Sequence, residues 1–84
     1  MERQKIAFDS PVAIRAAHMN TIRHVKSVNG ASEVMTDWPH ARRGPVYQET
    51  VAVIEAALAG ETTAAGARQA FRNFAEHAGV LVTD

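Results

Sequence analysis

The residues best suited to chemistry in this chain lie in one stretch, Trp38-Pro39-His40-Ala41-Arg42-Arg43-Gly44-Pro45-Val46-Tyr47. It holds the only tryptophan, the only tyrosine, two of the three prolines and the only adjacent arginine pair. Two guanidinium forks beside an aromatic ring suit a phosphate or a planar base. Two elements must position them. Pro39 pushes Trp38 out of helical geometry, so a helix ends near Trp38. Pro45 can open the next helix, because proline at the first helical position loses no hydrogen bond. Between them is a short basic elbow with an aromatic on each flank. Its chemistry is binding, and no reaction mechanism accompanies it. Trp38, His40, Arg42, Arg43 and Tyr47 are its candidate binding residues.

Each candidate also has a plainer role. Trp38 falls on the apolar stripe of its helix, so core packing with Tyr47 and Phe71 is favoured over an exposed platform. Arg42 and Arg43 read first as a solvated loop. Arg68 is the sixth candidate. It sits one turn after the Thr63 cap and beside the apolar stripe of its helix. Its stem can lie on the core while its head forks onto a carboxylate, such as Glu49 or Asp37, or onto a helix-end carbonyl.

Catalytic signatures are missing. Ser10, Ser27 and Ser32 sit at a turn, a cap and a helix, with no Gly-x-Ser-x-Gly elbow. The glycine spacing matches neither a phosphate loop nor a dinucleotide fingerprint. His18, His24, His40 and His77 share no helical face with one another, and metal sites want closely spaced ligands. A folded convergence of His24 and His40 with a carboxylate is the one metal-like arrangement left open. Glu33/Asp37 and Arg72/Glu76 are four-residue helical pairs, the first repelling and the second attracting. No catalytic residue, metal or cofactor is assigned.

Size and charge narrow the class. Eighty-four residues make one domain near the lower end of what an ordinary core supports. A homodimer is one way to hide surplus apolar surface in so small a chain. With no cysteine, disulfides, thiolate chemistry and zinc ribbons are excluded. The apolar runs are too short to span a membrane, and no signal-peptide core follows Met1-Glu2-Arg3-Gln4-Lys5. A soluble cytoplasmic protein is expected. The net charge is zero but divided: residues 1–43 carry seven Lys/Arg against four Asp/Glu, and residues 44–84 two against five. A uniformly basic nucleic-acid binder would not look like this.

The scaffold is legible from periodicity. Val12, Ile14 and Ala16 alternate with Ala13, Arg15 and Ala17 at strand spacing, and Ile22 to Lys26 reads as a second strand. His18-Met19-Asn20 is a turn candidate. An odd-length loop puts Val12, Ile14, Ala16, Ile22 and His24 on one face, whereas a two-residue loop at Met19-Asn20 pairs Ile14 with Val25. Ile6 to Phe8 can extend the first strand across the Asp9-Ser10-Pro11 kink. The hairpin covers about residues 5–27. Three helices follow, near 28–38, 45–59 and 63–78. Ser27 and Thr63 are caps, and Gly60 and Gly79 are stops. The stripes are Val28, Ala31, Val34/Met35 and Trp38, then Tyr47, Val51, Ile54 and Leu58 widened by Val53 and Ala57, then Ala67, Phe71, Phe74 and Ala78. Residues 80–82 are either a short edge strand or an apolar tail. The fold class is α+β, a hairpin followed by three helices.

The motifs Pro11-Val12, Val25-Lys26-Ser27-Val28, Trp38-Pro39, Arg43-Gly44-Pro45-x-Tyr47, Ala56-x-x-x-Gly60, Ala67-Arg68-x-Ala70-Phe71 and Ala78-Gly79-Val80 run through nearly the whole chain. In these, it resembles the bacterial family catalogued as domain of unknown function 982. The resemblance implies a small standalone protein with no established activity, cofactor or catalytic residues. Three function classes follow from the residues. The favoured one is a protein-interaction or regulatory module with an unknown protein partner, itself included. The second is nucleic-acid or phosphate binding through Arg15, Arg23, Lys26, Arg42 and Arg43. An enzyme of unrecognised type would need a deep pocket around His24, His40 or Glu49.

Overall fold

The computed structural model describes residues 6–15 and 21–82. Their order is β1 (Ala7–Arg15), β2 (Ile22–Ser27), α1 (Val28–Thr36), a single 3-10 turn (His40–Arg42), α2 (Pro45–Leu58) and α3 (Ala64–His77). The expected hairpin and three helices are therefore present. Lys5, Ala16, Ala17 and the His18-Met19-Asn20 turn lie outside the described residues.

Local signals set the helix ends. The Ser27 hydroxyl accepts from Gly30 N–H at 3.0 Å, and the Thr63 hydroxyl accepts from Gly66 N–H at 3.0 Å. Both helices carry glycine three residues after the cap, where an added Cβ would stand only 3.4 Å and 3.3 Å from the capping oxygen. Gly60 and Gly79 take φ of 79° and 76°, the left-handed geometry that closes a helix. Around Gly60, Glu61 N–H reaches the Ala56 carbonyl at 2.8 Å, and around Gly79, Val80 N–H reaches the Ala75 carbonyl at 2.9 Å. The first helix is shorter than its stripe predicted. It ends at Thr36 with Asp37 as its cap. Pro39 bars Trp38 from helical geometry, and only a last 3.2 Å bond from Trp38 N–H to the Met35 carbonyl remains.

The hairpin register matches neither expected alternative. β1 and β2 are antiparallel, with Val12 opposite Val25, Ile14 opposite Arg23 and Arg15 opposite Ile22. The connection thus has an even number of residues, and Ile22 and His24 face away from buried Val12 and Ile14. The two-residue loop assigned the right faces but displaced Ile14 by two positions. Turn length fixes register, and the alternation of apolar residues cannot tell shifts of two apart. Nearer the hairpin's open end, Ala7 pairs with Ser27, so residues 8–11 of β1 oppose Lys26 alone. This bulge is where Asp9-Ser10-Pro11 kinks the strand, as proline demands. Phe8, Val12 and Ile14 all reach the core.

Residues 80–82 return to the sheet. Leu81 makes an isolated antiparallel bridge to Ile14 on the side of β1 away from β2. The edge-strand reading is the closer of the two, reduced to one bridge. α2 packs chiefly on α3 and then on α1, while α3 covers β1 and α1 lies against β2. Phe71, Ile54, Val25 and Val28 are the largest fully buried side chains. The α2 stripe differs from expectation: Thr50 is buried while Val51 and Leu58 are only half-buried, and the Thr50 hydroxyl donates to the Val46 carbonyl at 2.8 Å. That bond satisfies it inside the core. Ala78 is exposed, and Ala75 takes the buried position instead.

Candidate functional site

The elbow is built as a break between two helices that keeps one backbone turn of its own. Arg42 N–H donates to the Pro39 carbonyl at 2.9 Å, and Arg43 N–H to the His40 carbonyl at 3.2 Å. This 3-10 turn was not expected, since three residues give no periodicity to read. It turns the two neighbouring arginines to different tasks.

Arg43 folds back onto the first helix. Its Nε donates to the Trp38 carbonyl at 3.1 Å, and its Nη2 to the Thr36 carbonyl at 2.9 Å. Its guanidinium carbon stands 4.9 Å from the centre of the Tyr47 ring. A cation belongs here, where the last carbonyls of α1 lack helical donors. The solvated-loop reading of Arg43 is thereby corrected. Arg42 remains exposed.

Trp38 is half-buried. Its ring meets Phe74 edge-on, with centroids 4.9 Å apart, rather than Phe71 as expected. Tyr47 packs on the same Phe74 ring at 6.0 Å, and its hydroxyl donates to the Met35 carbonyl at 2.8 Å. The three aromatics form one edge-to-face cluster that locks α1, α2 and α3 together. Phe71 points inward and is fully buried.

Beside this cluster lies an open groove of about 330 Å³. Trp38, Arg42, Tyr47, Phe74 and His77 line it, together with Gly44-Pro45-Val46 at the start of α2. Gly44 is the N-cap of that helix and has no side chain with which to cap it. Of the sequence-derived candidates, Trp38, Arg42 and Tyr47 line the groove. His40 is exposed on the 3-10 turn and Arg43 is held by α1, so neither belongs to the lining. Phe74 and His77 were missed as site residues. Their three-residue spacing puts both on one face of α3, but only the packing angle of α3 against the elbow brings that face here.

Arg68 works elsewhere. Its Nε donates to the Ser10 carbonyl at 2.8 Å, and its Nη2 reaches the Pro11 carbonyl at 3.4 Å. Its partners are thus the carbonyls of the β1 bulge, not a carboxylate or a helix end. A bulge leaves carbonyls without ladder partners, and a guanidinium fork meets two of them at once. The helical pairs also resolve. Glu33 is held by Arg23 at 3.1 Å, and Arg72 stands 3.9 Å from Glu76. Among the described residues, no three His, Asp or Glu side chains gather as metal ligands would, and this includes His24 and His40 with a carboxylate. No described helix is long and apolar enough to cross a membrane.

Fold and groove together define a small α+β domain with an aromatic cleft at a helix–helix elbow. The chain belongs to the family described as Protein of unknown function (DUF982), whose model matches residues 10–82. No curated protein and no solved structure matches it.

Proposed function

We propose that this chain is a non-enzymatic, cytoplasmic protein-interaction module that seats an acidic partner segment in the elbow groove. One observation carries the reading: the half-buried Trp38 ring shares an open groove of about 330 Å³ with Arg42 and His77. A groove at the small end of the ligand-site range suits one apolar side chain and a neighbouring carboxylate. The rings take the apolar part. Arg42 and the first turn of α2 favour the negative charge. The nucleic-acid alternative loses support from its own residues. Of the five cations it needs, Arg23 is paired with Glu33 and Arg43 is bound to α1 carbonyls.

Trp38 is the only tryptophan, so its fluorescence reports the groove directly. Titration with an acidic peptide carrying one leucine should change that emission and shift amide signals at residues 38–47 and 74–78. Arg42→Ala and added salt should both weaken the effect. Inorganic phosphate and a short single-stranded oligonucleotide serve as comparisons. A silent groove at millimolar peptide sinks the proposal, and a stronger response to the oligonucleotide transfers it to nucleic acid.

A further inference from the structure

The sheet can grow on one side only. Arg15 N–H donates to the Val80 carbonyl at 2.7 Å, and Val82 N–H to the Ala13 carbonyl at 2.9 Å. The main-chain groups of Ala13 and Arg15 thus point toward residues 80–82. By strand alternation, those of Val12 and Ile14 point toward β2. Their partners Val25 and Arg23 point back at β1. The N–H and C=O groups of Ile22 and His24 and the N–H of Lys26 are therefore directed outward, while the Lys26 carbonyl turns toward β1 across the bulge, where Val28 N–H bonds to the Ile6 carbonyl after extended Ser27; no further strand pairs with β2 among the described residues.

This edge is chemically distinct. The side chains of Ile22, His24 and Lys26 line the outer sheet face and are all exposed. Ile22 is 47% exposed, the one large apolar side chain so open among the described residues. β2 contains no acidic residue. Between the strand and the start of α1 runs an open groove of about 450 Å³, lined by Arg23, His24, Lys26, Asn29 and Glu33 among others. Glu33, the acid of that lining, is already engaged by Arg23.

We propose that the β2 edge accepts an extended acidic segment of a partner protein as an added strand. The outward main-chain groups supply the ladder bonds. Ile22 offers an apolar contact to the residue of the incoming segment that lies opposite it, and Lys26 favours a carboxylate opposite its own position. A second copy of this chain is the wrong occupant. Pairing two β2 edges would set one strand without an acidic residue against another, so neither could offer Lys26 a carboxylate. An edge lysine discourages such self-pairing.

The test uses the full chain, labelled with nitrogen-15, and a synthetic hexapeptide alternating Glu with Val. At low salt the amides of Ile22, His24 and Lys26 should shift and exchange with solvent more slowly, and should do so equally in the Arg42→Ala variant, whose elbow groove has lost its cation. That variant separates this edge from the elbow. His24→Pro removes an outward donor without touching the bonds to β1, and should abolish binding while the remaining spectrum stays native. If that variant does not fold, Lys26→Glu decides, with binding weakened about fivefold at low salt. Three results overturn the proposal: unmoved β2 amides at millimolar peptide, equal binding of a Lys/Val hexapeptide, or edge protection that rises with protein concentration alone. The last would assign the edge to a second copy.

Discussion

Arg42 and Arg43 are neighbours of identical chemistry, and alanine at each should give sharply different results. Arg43 makes two hydrogen bonds to carbonyls at the end of α1, at 3.1 and 2.9 Å, and lies 4.9 Å from the centre of the Tyr47 ring. Hydrogen bonds involving a charged group contribute about 1.5–3 kcal/mol each when shielded. The bond to Thr36 is exposed, so the pair is placed at the low end. The ring contact adds about 0.5–1 kcal/mol. Arg43→Ala should therefore cost about 2–3 kcal/mol, a fall in Tm of about 8–20 °C for a domain of this size. Arg43→Lys should lose about half of that, because it keeps the charge near the α1 terminus but not the fork. Arg42→Ala should cost no more than about 0.5 kcal/mol. Urea unfolding followed by far-UV circular dichroism measures all three. Equal stability of Arg42→Ala and Arg43→Ala, both within about 0.5 kcal/mol of the parent, would refute the assignment of Arg43 to α1.

Two further substitutions test the scaffold. Trp38→Ala should cost about 1.5–3 kcal/mol by urea unfolding, below the range for a fully buried tryptophan, because the ring is half-buried and loses chiefly its contact with Phe74. Arg68→Ala should cost about 1–2 kcal/mol, since it frees the Ser10 and Pro11 carbonyls of the bulge; amide exchange should accelerate at residues 12–14 more than in α2.

The helices were legible because their signals are local. Ser27 and Thr63 cap, Pro45 starts, Gly60 and Gly79 stop, and each reads within a few residues of itself. The elbow was legible for the same reason, as a proline at each end of a basic loop. The hairpin register was not. The apolar alternation of Val12, Ile14 and Val25 fixes which face is buried, but it is unchanged by a shift of two residues. Arg43 and Arg68 were misread for a common cause. Both serve main-chain carbonyls, and every residue carries one, so no side-chain type advertises the partner. The groove was half legible. Trp38, Arg42 and Tyr47 lie together in sequence, whereas Phe74 and His77 arrive from α3 through tertiary packing alone.

The Leu81 bridge to Ile14 also sets an order of events. Contacts that close a chain over nearly its whole length demand the largest entropy before they return any stabilisation. Here β1 depends on a segment that follows all three helices: Ala13 and Arg15 find their outer partners in Val82 and Val80. Arg68 adds a second such dependence, reaching back 58 residues to Ser10. On the ribosome, the hairpin must wait, unsealed on that side, until α3 and the segment after it have emerged. A stop codon placed after Gly79 would leave every helix spelled out and still strip β1 of its outer border. Such a product would be exposed to edge pairing with other nascent chains, and quality-control proteases would meet it as an unfinished sheet rather than as a shortened helix bundle.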